Sequence, residues 1–253
     1  MASSVPFKMT PACRDELLDL GLSSLEACLV FERGEMVKAI LPGRETLRVA
    51  GRGRVFFMKR VCGPGWRDVL REARILDTTR AVGLPVPAVA ALGAEEGRAV
   101  LLTQALPPSR KLEEVVLAER PDAERAIRLG RRLGEIVRRL HDAGVNHRDL
   151  YAGHVLVDAD DGLHLVDLGR AEVRRRVPLR RVIKDLAALR FSLGESESGR
   201  ALFAACLERW LDAEGSAVRR RRVERAVELK ARRIRAHVKR KLARGDLNVH
   251  CNE

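Results

Sequence analysis

The stretch HRDLYAGHVLVDADDGLHLVDLGRAE, residues 147–172, decides the fold. Two short apolar runs, Val155–Val157 and Leu163–Val166, flank Asp160-Asp161-Gly162, which has the composition of a hairpin turn. One acid stands ahead of the first run, Asp149, and one at the end of the second, Asp167, eighteen residues on. Just upstream, Pro121–Ala143 has helical periodicity, with Ile127, Leu133, Ile136, Val137 and Leu140 on one stripe. Pro121 sits at an early position, and Asp122 and Glu124 fall in the first turn, where the helix dipole favours acids. A long helix, a loop bearing Asp149 and a hairpin closing on Asp167 are therefore expected in that order. Taken singly, each Asp has a bland alternative as a loop cap or turn former.

Further upstream the first half reads as β-rich. A short helix, Glu16–Leu20, ends at Gly21. Strand-like runs follow at Ala27–Phe31, Met36–Leu41, Thr46–Val49 and Val55–Met58, with Gly34 and Pro42-Gly43 at turns. The last run leads into Lys59. Arg67–Val82 has a helical apolar face formed by Val69, Leu70, Ala73, Ile75 and Leu76, and Gly83 and Pro85 stop it. Val86–Leu92 and Ala99–Gln104 read as two more strands. Beyond Pro107-Pro108 the chain turns helical, with further helices expected from Leu186 onward. A β-rich part over 1–105 and a mainly helical part over 106–253 follow from this, an α+β chain.

With 46% hydrophobic and 33% charged residues, the 253-residue chain is composed to bury a core rather than stay disordered. No apolar run approaches the roughly 20 residues of a membrane span, and the N-terminus lacks a secretory pattern. Five Cys are scattered without a C-x-x-C pair, which points to reduced thiols in cytoplasm rather than a metal or disulfide framework. The net charge of +13 implies a polyanionic partner, unless Arg simply replaces Lys on solvated faces.

Lys59, Glu72, Asp149 and Asp167 fall in an order that suits phosphoryl transfer. That chemistry needs a cation on the donor phosphates, an acid to hold Mg²⁺, and a carboxylate at the nucleophile. Lys59 at a strand end can reach phosphate oxygens, and Glu72, thirteen residues on along a helix, can aim it. Asp149 can accept the proton of a substrate hydroxyl, and Asp167 can ligate Mg²⁺. Strand-Lys, helix-Glu, loop-Asp and strand-Asp is the protein-kinase order.

Three strings narrow this further. They are His147-Arg148-Asp149 with Tyr151, His154 and Leu156; Val166-Asp167-Leu168-Gly169-Arg170-Ala171; and Lys184-Asp185-Leu186-Ala187-Ala188-Leu189 with Phe191-Ser192. With RETLR at Arg44–Arg48, GPGW at Gly63–Trp66 and GLPVP at Gly83–Pro87, they resemble the lipopolysaccharide core kinases over about residues 30–195. This is the Kdo/heptose kinase family, WaaP- or InaA-like, within the protein-kinase-like superfamily.

The resemblance implies a two-lobed kinase-like fold, with a β-rich nucleotide-clamping N-lobe (1–105) and a helical C-lobe (106–253). It implies ATP and Mg²⁺ as cofactors and a sugar hydroxyl of a lipopolysaccharide core or related glycolipid as acceptor. Asp149 then orients or deprotonates that hydroxyl, Asp167 is the main Mg²⁺ ligand, and Lys59 with Glu72 positions the α- and β-phosphates. His154 stands where protein kinases carry Asn, and this family has His there. It either supports Asp149 and the metal shell or is a structural histidine under the loop. No G-x-G-x-x-G loop exists; Gly43 is its substitute, with Arg44 or Arg48 in reach of a phosphate, and Gln104 is assigned to the nucleotide as well. Asp185 resembles the helix Asp that ties down the catalytic loop through backbone N–H groups. His164 reads as an alternating strand residue.

Residues 219–244 hold 13 Lys/Arg against Glu224 and Glu228. Val223, Val227, Ala231, Ile234, Val238 and Leu242 recur every three or four residues, so 217–244 reads as a basic amphipathic helix. It suits an anionic membrane surface, RNA, or docking of its stripe onto the second lobe. With one Tyr and two Trp in the chain, a stacking platform for single-stranded nucleic acid is not supported. The expected location is cytoplasmic, peripheral on the inner face of the inner membrane. The rival readings are an atypical kinase with a protein or small-molecule acceptor, and a silent kinase-like module acting through its basic tail.

Overall fold

The computed structural model describes residues 4–40, 43–212 and 216–244; Leu41, Pro42 and Cys251 lie outside the described residues. The chain separates into two compact units, residues up to Pro108 with His164–Ala171, and Ser109–Leu163 with Glu172 onward.

The first unit begins with β1 (Val5–Met9), α1 (Arg14–Asp19) and α2 (Leu25–Leu29), followed by β2 (Glu35–Ile40), β3 (Arg44–Ala50) and β4 (Val55–Cys62). Helix α3 (Trp66–Ala81), β5 (Val89–Glu95) and β6 (Arg98–Gln104) complete it. The strands form an antiparallel sheet in the order β1-β5-β6-β4-β3-β2. Period-2 alternation sends Leu47, Val49, Phe56, Met58, Val100 and Leu102 to one face, where they form a core with Leu17, Leu22 and Cys28. Glu16 locks the β3–β4 turn: one carboxylate oxygen accepts the backbone N–H groups of Gly53 and Arg54, both at 2.8 Å.

The expected strand at Ala27–Phe31 is not there; α2 occupies its place. The Ser24 hydroxyl accepts the Ala27 N–H at 3.1 Å, an N-cap with Glu26 in the first turn, and burial of Cys28 needs only one helical face. Strand β1 was not expected either. Pro6 removes a donor from it, which an edge strand tolerates.

The second unit starts with β7 (Ser109–Lys111) and the short α4 (Leu112–Glu114). Then come α5 (Ala123–Asp142), β8 (Val145–Asn146), β9 (Val155–Asp158) and β10 (Leu163–Leu165), the last running into the first unit's segment. β11 (Glu172–Val173), α6 (Leu179–Ser192), α7 (Glu197–Leu211) and α8 (Ala217–Ala243) finish it. β7 pairs with β9 and β8 with β11. Helix α6 begins seven residues before the expected Leu186, directly after Pro178, because Val182 already belongs to its buried stripe. Asp122 caps α5 by accepting the Arg125 N–H at 2.7 Å.

Helices α5 and α7 meet backbone to backbone. A Cβ on Gly130 would lie 2.3 Å from the Leu202 carbonyl, and one on Gly134 2.3 Å from the Cys206 carbonyl. Cys206 is buried in this contact, which pushes its thiol up to about 12 and leaves it unreactive. Helix α8 packs on α6 through buried Val223, Val227 and Ala231, while Leu242 at the far end is 45% exposed. The first part of the stripe therefore docks onto the second unit, as one of the three readings of this helix has it.

The two helix glycines give a test. Ala gains about 1 kcal/mol of helix propensity over Gly, but overpacking costs typically ~1–3 kcal/mol. Gly134→Ala is expected to lower the urea midpoint at unchanged m-value, a net loss of up to about 2 kcal/mol. A raised midpoint would mean that α5 and α7 are less tightly apposed.

Candidate active site

In the first unit, alternation along β4 buries Phe56 and Met58 on the core side and leaves Lys59 on the opposite face. Helix α3 packs against β4 and carries Glu72. The Lys59 Nζ donates to Glu72 Oε1 at 2.6 Å and also bonds Oε2. The two side chains are only 19% and 10% exposed. An ammonium this dry is tolerable because it is paired, and removing either partner would strand the other charge. The pair therefore fixes where the amine points.

Asp167 follows β10 and adopts φ +59°, ψ +51°, a left-handed conformation that Asp tolerates better than most residues. The segment is anchored by the Leu165 N–H to the Pro85 carbonyl at 2.8 Å. Two residues after Asp167, a Cβ on Gly169 would stand 3.2 Å from Glu72 Oε2 and 3.8 Å from Asp167 Oδ1. The turn thus brings Asp167 beside the Lys59–Glu72 pair.

Gly43 and Gln104 are not brought to this pair. Gly43, at φ +81°, accepts the Cys62 N–H at 2.7 Å, and a Cβ there would lie 2.1 Å from the Cys62 carbonyl. A close backbone contact thus accounts for the glycine. It sits three strand residues from Lys59, about 10 Å along β4. Gln104 ends β6 opposite Phe56, as far away in the other direction, and its N–H donates to the Ala88 carbonyl at 2.8 Å. Arg48 pairs at the surface with Glu35 at 3.5 Å.

In the second unit the loop after β8 is organised by Asp185 on α6, which is fully buried. Its carboxylate accepts from Asn146 Nδ2 at 2.6 Å, the His147 N–H at 2.9 Å and the Arg148 N–H at 2.9 Å. His141 Nε2 lies 3.3 Å from the same carboxylate. Trp210 donates its indole N–H to His141 Nδ1 at 3.1 Å. That bond requires Nδ1 to accept, so Nε2 carries the proton and donates to Asp185. A line Trp210–His141–Asp185 thus runs from α7 through α5 to the loop backbone.

Arg148 has φ +73° and pairs with Glu172 at 2.8 Å. Glu172 is held below the usual carboxylate range, chiefly by its hydrogen bond from Arg174, with Arg148 adding to it. Left-handed backbone at Arg costs of order 1–3 kcal/mol, and the Asp185 bonds and this ion pair over-determine it. The loop then presents Asp149. His154 Nδ1 lies 2.7 Å from the Asp149 carbonyl, which also accepts the Tyr151 N–H at 2.9 Å. A carbonyl can only accept, so Nδ1 is the donor. His154 is thus brought to the Asp149 backbone.

Sequence reading missed Asn146, His141 and Trp210. Asn146 and His141 flank the loop but belong to no spacing motif, and Trp210 is brought in only by the α5–α7 contact. Among the described residues, no group of three or more His, Cys, Asp or Glu is arranged to hold a metal. Mg²⁺ commonly takes one or two carboxylates with phosphate and water oxygens, so Asp167 fits it by chemistry, and the His154 imidazole fits it less well.

The lipopolysaccharide kinase (Kdo/WaaP) family model matches residues 65–209, more than half of the chain. The lipopolysaccharide core heptose(I) kinase WaaP of Pseudomonas aeruginosa is 35% identical over 184 residues, covering 60% of this chain and 68% of that one. The 3-deoxy-D-manno-octulosonic acid kinase of Vibrio cholerae serotype O1 is 31% identical over 116 residues, 44% of this chain and 48% of that one. An aminoglycoside-3'-phosphotransferase of type VIII superposes with a TM-score of 0.55 at 21% identity, covering 87% of this chain and all of that chain. At that identity the last likeness concerns the fold alone, which is protein-kinase-like. By its family match and its relatives, the chain belongs to the lipopolysaccharide kinase (Kdo/WaaP) family.

Proposed function

We propose that this chain transfers the γ-phosphate of ATP to a sugar hydroxyl of a lipopolysaccharide core or a related glycolipid. The observation that carries the reading is the Lys59–Glu72 pair, a half-buried amine held by both oxygens of one carboxylate. Such a fixed cation suits the α- and β-phosphates of a nucleotide. Asp149 accepts the proton of the attacking hydroxyl. Asp167 holds Mg²⁺, which supplies charge neutralisation on the phosphates when bound. His154 keeps the Asp149 backbone in place through Nδ1 and acts as a positioning residue beside the metal shell. Gly43 and Gln104 act at the edges of the nucleotide site.

The acceptor being lipid-linked, the enzyme works as a peripheral protein on the inner face of the inner membrane. No helix among the described residues is long and apolar enough to cross a membrane. Helix α8 supplies the attachment: Arg221, Arg222, Arg225, Lys230, Arg233, Lys239 and Lys241 are exposed around its docked stripe. Each such cation contributes about 1 kcal/mol near anionic lipid.

Three measurements test these roles. Asp149→Ala is expected to lose phosphate transfer by about 10³-fold while nucleotide affinity stays within about threefold; retained turnover would refute the proton-acceptor role. Asp185→Ala orphans two backbone N–H groups and the Asn146 amide, each costing ~1–3 kcal/mol, so it should lower the melting temperature as well as turnover. A variant with full stability and full activity would contradict the anchoring role. Replacing Lys239, Arg240 and Lys241 by Glu should release the protein from vesicles containing phosphatidylglycerol, with kcat on a soluble core oligosaccharide little changed. Unchanged vesicle binding would remove α8 from the membrane reading.

A further inference from the structure

The second unit holds a cleft of about 430 Å³ lined by Lys111, Glu113, Tyr151, His154, Phe191 and Ser192. Its volume lies in the range of small-ligand sites, roughly 300–1,000 Å³. Its wall is the loop of Asp149 itself, since Tyr151 and His154 are the residues whose N–H groups bond the Asp149 carbonyl. Two aromatic rings face it, and Tyr151 meets His154 edge to face with centroids 6.1 Å apart.

The polar groups divide into those already committed and those still open. The Ser192 hydroxyl accepts the Ala152 N–H at 2.7 Å and donates to the Leu189 carbonyl at 3.1 Å, so it braces the cleft. His154 Nδ1 is committed to Asp149. Glu113, half-buried on α4, makes no hydrogen bond or ion pair with any described residue. One of its oxygens stands 3.0 Å from where a Cβ on Gly153 would be, so the loop comes in close beneath it. Its neighbour Glu114 is the one that takes the capping bond from the Lys111 N–H. Among the described residues the Lys111 Nζ is held only by an exposed ion pair with Glu114 at 3.6 Å, beyond hydrogen-bond distance, which a closer anion can displace.

A partly desolvated carboxylate with no protein donor is left to water, which the O–H groups of a ligand can replace. Aromatic faces pack against the C–H face of a pyranose. An ammonium at the same cleft matches a carboxylate or phosphate on the same or the next sugar. We infer that this cleft is the acceptor subsite, binding a polyhydroxylated sugar ring between Tyr151 and Phe191, with Glu113 accepting its hydroxyls and Lys111 facing an anionic substituent. The inference rests on the phosphoryl-transfer reading and adds which residues select the sugar.

The test uses the full chain with ATP, Mg²⁺ and a dephosphorylated core oligosaccharide containing heptose and 3-deoxy-D-manno-octulosonic acid. Glu113→Gln and Lys111→Met are each expected to raise the KM for the oligosaccharide by roughly tenfold, as loss of a buried polar contact to a substrate does. The KM for ATP should move by less than about twofold. Lys111→Met should also flatten the dependence of acceptor KM on salt, which a purely structural role would not do. Wild-type acceptor KM in both variants would overturn the subsite while leaving the kinase reading intact, and so would a parallel rise in the KM for ATP. Failure of the wild-type protein to phosphorylate the oligosaccharide would overturn both.

Discussion

A buried carboxylate, Asp185, is the constraint on which the second unit depends. It is fully removed from solvent, and a charge so placed survives only when its oxygens are saturated with donors. It takes two backbone N–H groups from the loop, the Asn146 amide and the His141 imidazole. Those bonds hold Arg148 in a left-handed conformation that would otherwise be unfavourable. The next residue along the loop is Asp149, the proposed proton acceptor. The buried charge of Asp185 thereby fixes the backbone of the loop that carries Asp149.

The first unit solves a parallel problem with a different pair. Lys59 and Glu72 are both largely dry, and each makes the other's burial tolerable. Strand alternation delivers one and a helix face the other, so the pairing records the packing of α3 on β4. Gly169 lets the Asp167 turn pass beside Glu72 with little room to spare. In both units an ionic arrangement that adds little net stability fixes side-chain geometry, which is what phosphoryl transfer requires of a protein.

Much of this was legible in the sequence where a period and a punctuation mark agreed. The hairpin around Asp160–Gly162, helix α5 after Pro121, and β4 running into Lys59 each combine an apolar rhythm with a clear start or stop. The role of Asp185 came through resemblance, and the backbone bonds bear it out. What failed was local. Ala27–Phe31 is apolar enough for a strand, but the Ser24 cap made it a helix. The early start of α6 followed from a proline that precedes a helix as readily as it ends one. His141 and Trp210 carried no signal, because they are brought together by two glycines on α5 that allow α7 to approach. The basic helix was ambiguous because composition does not say which part of a stripe is covered. Val223, Val227 and Ala231 are covered, and the cations around them are exposed.

The most direct measurement follows the label of [γ-³²P]ATP after incubation with the purified protein, Mg²⁺ and a dephosphorylated core oligosaccharide. The account predicts label recovered on the sugar as an acid-stable monoester, at a rate that scales with oligosaccharide concentration and vanishes in Asp149→Asn. Label found only as inorganic phosphate or on the protein, at a rate indifferent to the oligosaccharide, would contradict it.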